Sequence, residues 1–312
     1  QNIFTVQRQR DRHFLDQRGL LKAALANGAV NVVIQLKFCE CCHVVLSIIA
    51  CPVTVRLLRR KLAAEVLMSA GFQCKKFFVA HDRCAMKVGT DGLLLGAFAP
   101  LPPAGGAILD IGAGSGLISL MLAQRTAGAN PIDAVELDAA AAEQAAINVA
   151  NSPWPEAIRL IKGDILTYRS DKRYRLIVSN PPFFQHAVPA QDAKRHQARH
   201  TDSLPFASLL NITAALLSSG GTFAIVIPFS VHDYFIGLAL SAGWQLQHSC
   251  TVYTKPTKAH RSLLCLGRSS HGVKPQQTQL HIHDSNGAYS KQYQQLLSAF
   301  YLKFPDEPRS TI

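Results

Sequence analysis

A chain of 312 residues with 48% hydrophobic side chains can bury the core of one large α/β domain with additions, or of two modest domains. Lys and Arg outnumber Asp and Glu by 32 to 20, a formal net charge of +12 that suits an anionic partner such as nucleic acid. The longest uncharged apolar run near the start, 41–55, has 15 residues where a spanning helix needs about 20, and Arg8, Arg10, Asp11, Arg12 and Asp16 interrupt the N-terminus, so neither a transmembrane segment nor a secretory signal is expected.

Residues 1–67 differ in character from the rest of the chain. They hold ten Lys/Arg and four Asp/Glu, half of the net charge, with an apolar stretch of Val and Ile before Arg59-Arg60-Lys61. Four of the eight cysteines, Cys39, Cys41, Cys42 and Cys51, crowd into this stretch without the paired spacing of a zinc site, so no metal is expected and the thiols read as reduced ones in a cytoplasmic protein. Met68 is the first methionine. The expectation is an unrelated N-terminal extension over 1–67, lying upstream of a natural start at Met68, then the main domain over 68–304 and a disordered tail over 305–312. The other reading of 1–67 is a small RNA-binding or partner-binding appendage.

From position 75 the chain becomes coherent. His81 to Gly92 is polar and turn-rich and precedes the apolar helix-like run Leu93 to Phe98; Thr90 or Asp91 would cap that helix or contact a cofactor. Pro100, Pro102 and Pro103 close it. Ala107 to Ile111 forms a short strand containing Asp110, and Gly112-Ala113-Gly114-Ser115-Gly116 leads into a helix with Leu117, Leu120 and Met121 on one face. Glycines at this place let a nucleotide approach the backbone, although the third glycine falls one position earlier than in the dinucleotide fingerprint. Ile132 to Leu137 is a second strand with Glu136 near its end, 20 residues after Gly116, where a carboxylate accepts from ribose hydroxyls. An Ala-rich helix from Asp138 to Ala150 and a strand from Ile158 to Ile161 come next, and Gly163-Asp164 places another carboxylate, suited to an adenine amino group, at the same edge.

The corner Asn180-Pro181-Pro182-Phe183 ends the apolar run Leu176-Ile177-Val178. Two consecutive prolines cannot donate to a sheet ladder and bias their predecessors toward extended backbone, so the strand must stop there. The amide oxygen of Asn180 and the carbonyl of Pro181 are two acceptors for one exocyclic NH2, and Phe183 offers a face to a base. Holding both hydrogens turns the nitrogen lone pair out of conjugation and toward an incoming methyl. Beyond it, Lys194, Arg195 and Arg199 sit in a polar stretch suited to phosphates. Leu204 to Ser218 reads as helix, Thr222 to Pro228 as strand, and Val231 to Ala242 as helix closed by Gly243. Two strands, Trp244–Tyr253 and Ser262–Gly267, bracket a basic loop from Lys255 to Arg261; a segment at Leu280–His283 and a helix from Tyr289 to Phe304 finish the domain. His281 and His283 alternate along that segment as one surface face.

Leu109 to Gly116, Val135-Glu136-Leu137-Asp138, Gly163-Asp164 and Asn180 to Phe183, in this order and preceded by Phe77 to Gly92, resemble the motifs of class I S-adenosylmethionine-dependent methyltransferases of the amino-methylating branch. The match is nearest to the bacterial tRNA(Val) (adenine-37-N6)-methyltransferases and extends over 68–304. The resemblance implies an α/β Rossmann-like fold, a seven-stranded, mostly parallel sheet with helices on both faces. It implies S-adenosylmethionine held by Asp110, Gly112, Gly114 and Gly116 around the methionine portion, Glu136 on the ribose, Asp164 at the adenine, and Thr90 and Asp91 over the methionyl end. The substrate it implies is tRNA, with Asn180, Pro181 and Phe183 receiving the flipped base. Methylation of a guanine N2 in ribosomal RNA or of a protein glutamine, and RNA binding without turnover, remain alternatives. The sequence leaves the oligomeric state open.

Overall fold

The computed structural model describes the backbone of residues 33–38 and 44–49, and residues 70–182, 204–268 and 274–305. The chain divides into two compact units, Gln1–Val66 and Leu67–Ile312. In the first, strands β1 (Val33–Phe38) and β2 (Val44–Ile49) pair antiparallel.

The second unit opens on a small antiparallel hairpin, β3 (Gly71–Gln73) and β4 (Phe78–Ala80), which sequence reasoning did not anticipate. Helix α1 (Thr90–Phe98) leads to β5 (Ile108–Ile111), and then α2 (Leu117–Arg125), β6 (Ile132–Glu136), α3 (Ala139–Ala150) and β7 (Ile158–Lys162) alternate. After β8 (Tyr174–Ser179) come α4 (Phe206–Leu216), β9 (Leu217–Pro228), α5 (His232–Ser241), β10 (Gln245–Lys255), β11 (Lys258–Gly267), β12 (Gln276–His281) and α6 (Lys291–Leu297).

The large sheet has eight strands in the order β12-β10-β11-β9-β8-β5-β6-β7. Neighbours from β7 to β9 are parallel, and β11 runs antiparallel to both β9 and β10. Seven of these strands make the expected mostly parallel sheet; β12 extends it by pairing parallel to β10. Strand order reverses at β5 and β8, which places a ligand crevice at their carboxyl ends.

Both faces of the sheet are buried, which is why its strands are near-continuous apolar runs. Ile108, Leu176, Val178, Ala224, Val226 and Leu263 face one core layer, packed with α1, α2 and α6. Their alternates Leu109, Ile177, Phe223, Ile225, Ile227 and Leu264 face the other, packed with α4 and α5.

Several boundaries differ from the sequence expectations. The stretch expected as a basic loop, Lys255 to Arg261, is mostly strand, because β10 and β11 pair out to Lys255 and Lys258 and only Pro256 and Thr257 turn. Strand β9 starts directly at Leu217, inside the span expected as helix to Ser218 and five residues before the expected strand start at Thr222, and carries an irregularity opposite β8, with Gly220 at φ +65°. The closing helix is shorter, Lys291–Leu297, capped by Ser290, whose side chain accepts from the Tyr293 N–H. His281 and His283 each stack on a tyrosine, Tyr253 and Tyr289. Phe183, Lys194, Arg195, Arg199 and residues 306–312 lie outside the described residues.

Candidate active site

Adjacent parallel strands bring the two central motifs together. Ile111, before the glycine loop, pairs with Ser179, before Asn180, and the Ser179 hydroxyl donates to the Ile111 carbonyl at 3.0 Å. Glycine loop and proline corner therefore leave neighbouring strand ends side by side.

The loop requires glycine for its backbone. Gly112, Gly114 and Gly116 have φ of +73°, +55° and +80°, a region that side chains disfavour. The N–H groups of Gly112 and Ala113 both donate to the Val135 carbonyl, which pins the loop to the end of β6. A Cβ added at Gly112, Gly114 or Gly163 would meet nothing within 4 Å, so these positions border open space. At Gly116 it would lie 3.4 Å from the Cβ of Ala145, so this glycine serves close packing against α3.

Asp110 is fully buried on β5. Its Oδ2 accepts from the Ser119 N–H at 3.1 Å and the Ser119 hydroxyl at 2.6 Å, while Oδ1 has no partner among the described residues. Burial pushes its carboxyl up to about 6, opposed by the Ser119 hydrogen bonds and aided slightly by the charge of Glu136. Glu136, at the end of β6, accepts from the Gly114 N–H at 2.7 Å and the Asp138 N–H at 2.8 Å. Asp164, after β7, accepts from the Leu166 N–H at 2.9 Å in a tight turn, and the Gly163 N–H donates to the Glu136 carbonyl. Three carboxylates thus line successive strand ends, β5, β6 and β7.

The start of α1 covers the β5–β8 junction. A Cβ on Gly92 would stand 3.0 Å from Leu117 Cδ2 and 3.9 Å from Asn180 Nδ2, so the helix reaches this junction only because position 92 lacks a side chain. No side chain caps α1; Gly89 occupies the cap position. Thr90 is exposed there, and Asp91 accepts from Arg261 Nε of β11 at 2.8 Å. Cys84 in the preceding loop has its thiol pushed up to about 11, by burial first and then by the charges of Glu136, Asp138 and Asp82, which places that loop beside the β6 corner.

Asn180 is half-buried, its Oδ1 sealed from solvent and without a partner among the described residues; Pro181 is buried and Pro182 exposed. An amide oxygen left unsatisfied at the end of a strand costs about 1–3 kcal/mol, and a ligand N–H would recover that cost. Asp110 Oδ1, on the neighbouring strand β5, is a second buried acceptor with no partner among the described residues. Two unpartnered acceptors, one of them a carboxylate, beside an open glycine cradle fit a cationic nucleoside such as S-adenosylmethionine. Among the described residues no group of His, Cys, Asp and Glu is arranged to hold a metal.

Sequence reasoning missed Asn148. Buried in α3, its Nδ2 donates to the carbonyls of Ala80 at 2.8 Å and Ser115 at 2.9 Å, and its Oδ1 accepts from the Ala80 N–H at 3.0 Å. It ties β4 to the glycine loop. The signal was an amide in an otherwise Ala-rich helix.

Comparisons with known proteins agree with this fold. The model of the methyltransferase small domain matches residues 85–232, from the loop before α1 through the glycine loop and Asn180 to α5. A tRNA1(Val) (adenine(37)-N6)-methyltransferase of Dickeya chrysanthemi is 46% identical over 243 residues, 76% of this chain and 96% of the relative, and one of Yersinia pestis is 46% identical over 242 residues, 77% and 96%. Among solved structures, a predicted O-methyltransferase from Agrobacterium tumefaciens superposes with a TM-score of 0.52 at 16% identity, covering 67% of this chain and 96% of that one, a likeness of fold alone. With relatives this similar over most of its length and nearly all of theirs, the chain belongs to the tRNA1(Val) (adenine(37)-N6)-methyltransferase family.

Proposed function

We propose that the chain transfers a methyl group from S-adenosylmethionine to the exocyclic N6 of adenine 37 in tRNA(Val), and that residues 68–304 carry this activity. The observation that carries the reading is the unpartnered Asn180 Oδ1 one strand away from the open glycine cradle. When bound, S-adenosylmethionine supplies a methyl group made electrophilic by its cationic sulfur. Gly112, Gly114 and Gly116 are assigned to its methionine portion, with Asp110 as the acceptor for its ammonium group. Glu136 is assigned to the ribose hydroxyls and Asp164 to the adenine ring. Thr90 and Asp91 are assigned to the methionyl end from the start of α1, and the carboxylate of Asp91 also pairs with Arg261.

On the substrate side, Asn180 Oδ1 and the Pro181 carbonyl accept from the two hydrogens of the adenine amine and Phe183 stacks on the flipped base. The lone pair then points toward the donor, and positioning replaces a general base of tuned pKa. Lys194, Arg195 and Arg199 are assigned to the RNA backbone. The test is tritiated S-adenosylmethionine offered with tRNA, ribosomal RNA and protein as separate acceptors, followed by nucleoside analysis. Label in N6-methyladenosine from tRNA supports the reading; label in N2-methylguanosine or in protein replaces it.

A further inference from the structure

The hairpin of β10 and β11 stands out beyond the sheet edge that carries the candidate site. Ser179, the last residue of β8, pairs with Ile225; β9 continues to Pro228, which pairs with Arg261; and β11 reaches on to Lys258, which pairs with Lys255. Six residue steps at about 3.3 Å put the tip roughly 20 Å past the end of β8 along the strand direction. Its side chains are basic. Lys255 and Lys258 are exposed at the tip, and Arg261 is engaged by Asp91 at 2.8 Å, so the tip's net positive charge rests on the two lysines.

The ribbon is also fastened. The Asp91–Arg261 pair joins it to α1, and Ser262 Oγ lies 2.9 Å from Nδ1 of His232 at the start of α5. Phe229, 40% exposed just past the end of β9, stacks on that same histidine at 5.7 Å. A fixed basic arm with an exposed aromatic at its root is the composition that holds a nucleic-acid strand, lysines on phosphates and a ring on a base.

We infer that the β10–β11 ribbon holds the phosphodiester backbone of the substrate RNA away from the reacting base, through Lys255 and Lys258. This rests on the RNA-methylating reading above. The overhang carries the two lysines beyond the strand ends to which the target base is assigned, so the ribbon meets phosphates flanking that base and not the base itself.

The test is the salt dependence of binding of a tRNA(Val) transcript to the full-length chain, wild type against Lys255→Ala/Lys258→Ala, with S-adenosylhomocysteine binding to confirm the fold and nucleoside analysis of the same samples. The expected result is a slope of log K against log salt shallower by about 2, with affinity lower by about tenfold, and both restored in Lys255→Arg/Lys258→Arg. An unchanged slope in the alanine variant overturns the role of the ribbon even where N6-methyladenosine forms. A reduced slope without N6-methyladenosine from the wild type overturns the methyl-transfer reading and keeps the ribbon as an RNA contact.

Discussion

Asp110, proposed above as the acceptor for the cofactor's ammonium group, is a buried carboxylate whose charge costs stability in the ligand-free chain. Its carboxyl, pushed up to about 6 by burial, holds a proton in the folded chain over a pH range where the unfolded chain has released it. Its contribution to stability is therefore greatest at low pH and is lost as pH rises from the ordinary carboxylate range through about 6. Asp110→Asn keeps an oxygen for the two Ser119 donors and removes the charge. The ligand-free variant is expected to melt several degrees above wild type at pH 8, an advantage that shrinks at pH 5, while its affinity for S-adenosylmethionine falls at least tenfold. Thermal scans at the two pH values and calorimetric titration check both halves, and a lower melting temperature at pH 8 would contradict them. Much at this scale is legible in the sequence. Glycines at 112, 114 and 116 announce positive φ, and Pro181-Pro182 announces a strand end. Asp91 with Arg261 is not, because the partners stand 170 residues apart and only the sheet order joins them. Neither is Asn148, whose three bonds reach two distant backbone segments.

Elements are placed by close approaches that composition only partly reveals. Helix α1 lies against α2 through Gly92 and Gly96, one turn apart; a Cβ at Gly96 would come within 2.6 Å of Met121 Sδ and 3.1 Å of Met121 Cβ. The run Leu93-Leu94-Leu95 marks a buried helix, but glycines on its other face suggest loop permissiveness before they suggest a packing seam. Gly96→Leu is expected to lower stability by about 1–3 kcal/mol through overpacking and to weaken cofactor binding by shifting Thr90 and Asp91. Urea unfolding beside a binding titration checks this; a variant of wild-type stability would mean that α1 is not seated on α2 as described. The hairpin β10–β11 shows the largest difference in extent between sequence and structure. Lys, Pro, Thr and His in sequence resemble loop composition, yet strand pairing on one side and the Arg261 ion pair hold the segment extended.

At the scale of the molecule, strand order does the chemical work. Because β5 and β8 are neighbours, motifs almost 70 residues apart end side by side, and the eight-stranded sheet keeps both faces buried, with a ligand crevice at its carboxyl edge. The alternating strand and helix signals make this architecture legible, whereas the added edge strand β12 is recognised only in part, since Gln276 to Gln279 lacks the apolar pattern of the inner strands. The net charge of +12 and the basic ribbon agree with a polyanionic substrate. The central claim, that Asn180 presents the adenine amine to a methyl group held over the glycine loop, is tested most directly by mass spectrometry of the anticodon fragment of tRNA(Val) after incubation with S-adenosylmethionine and either wild type or Asn180→Ala, with S-adenosylhomocysteine affinity measured for both. The expected result is one methyl group on N6 of adenine 37 with the wild type and a loss of at least a hundredfold in rate with the variant, at unchanged cofactor affinity. Methylation of that nitrogen at near wild-type rate by Asn180→Ala, or of another atom by the wild type, would contradict it.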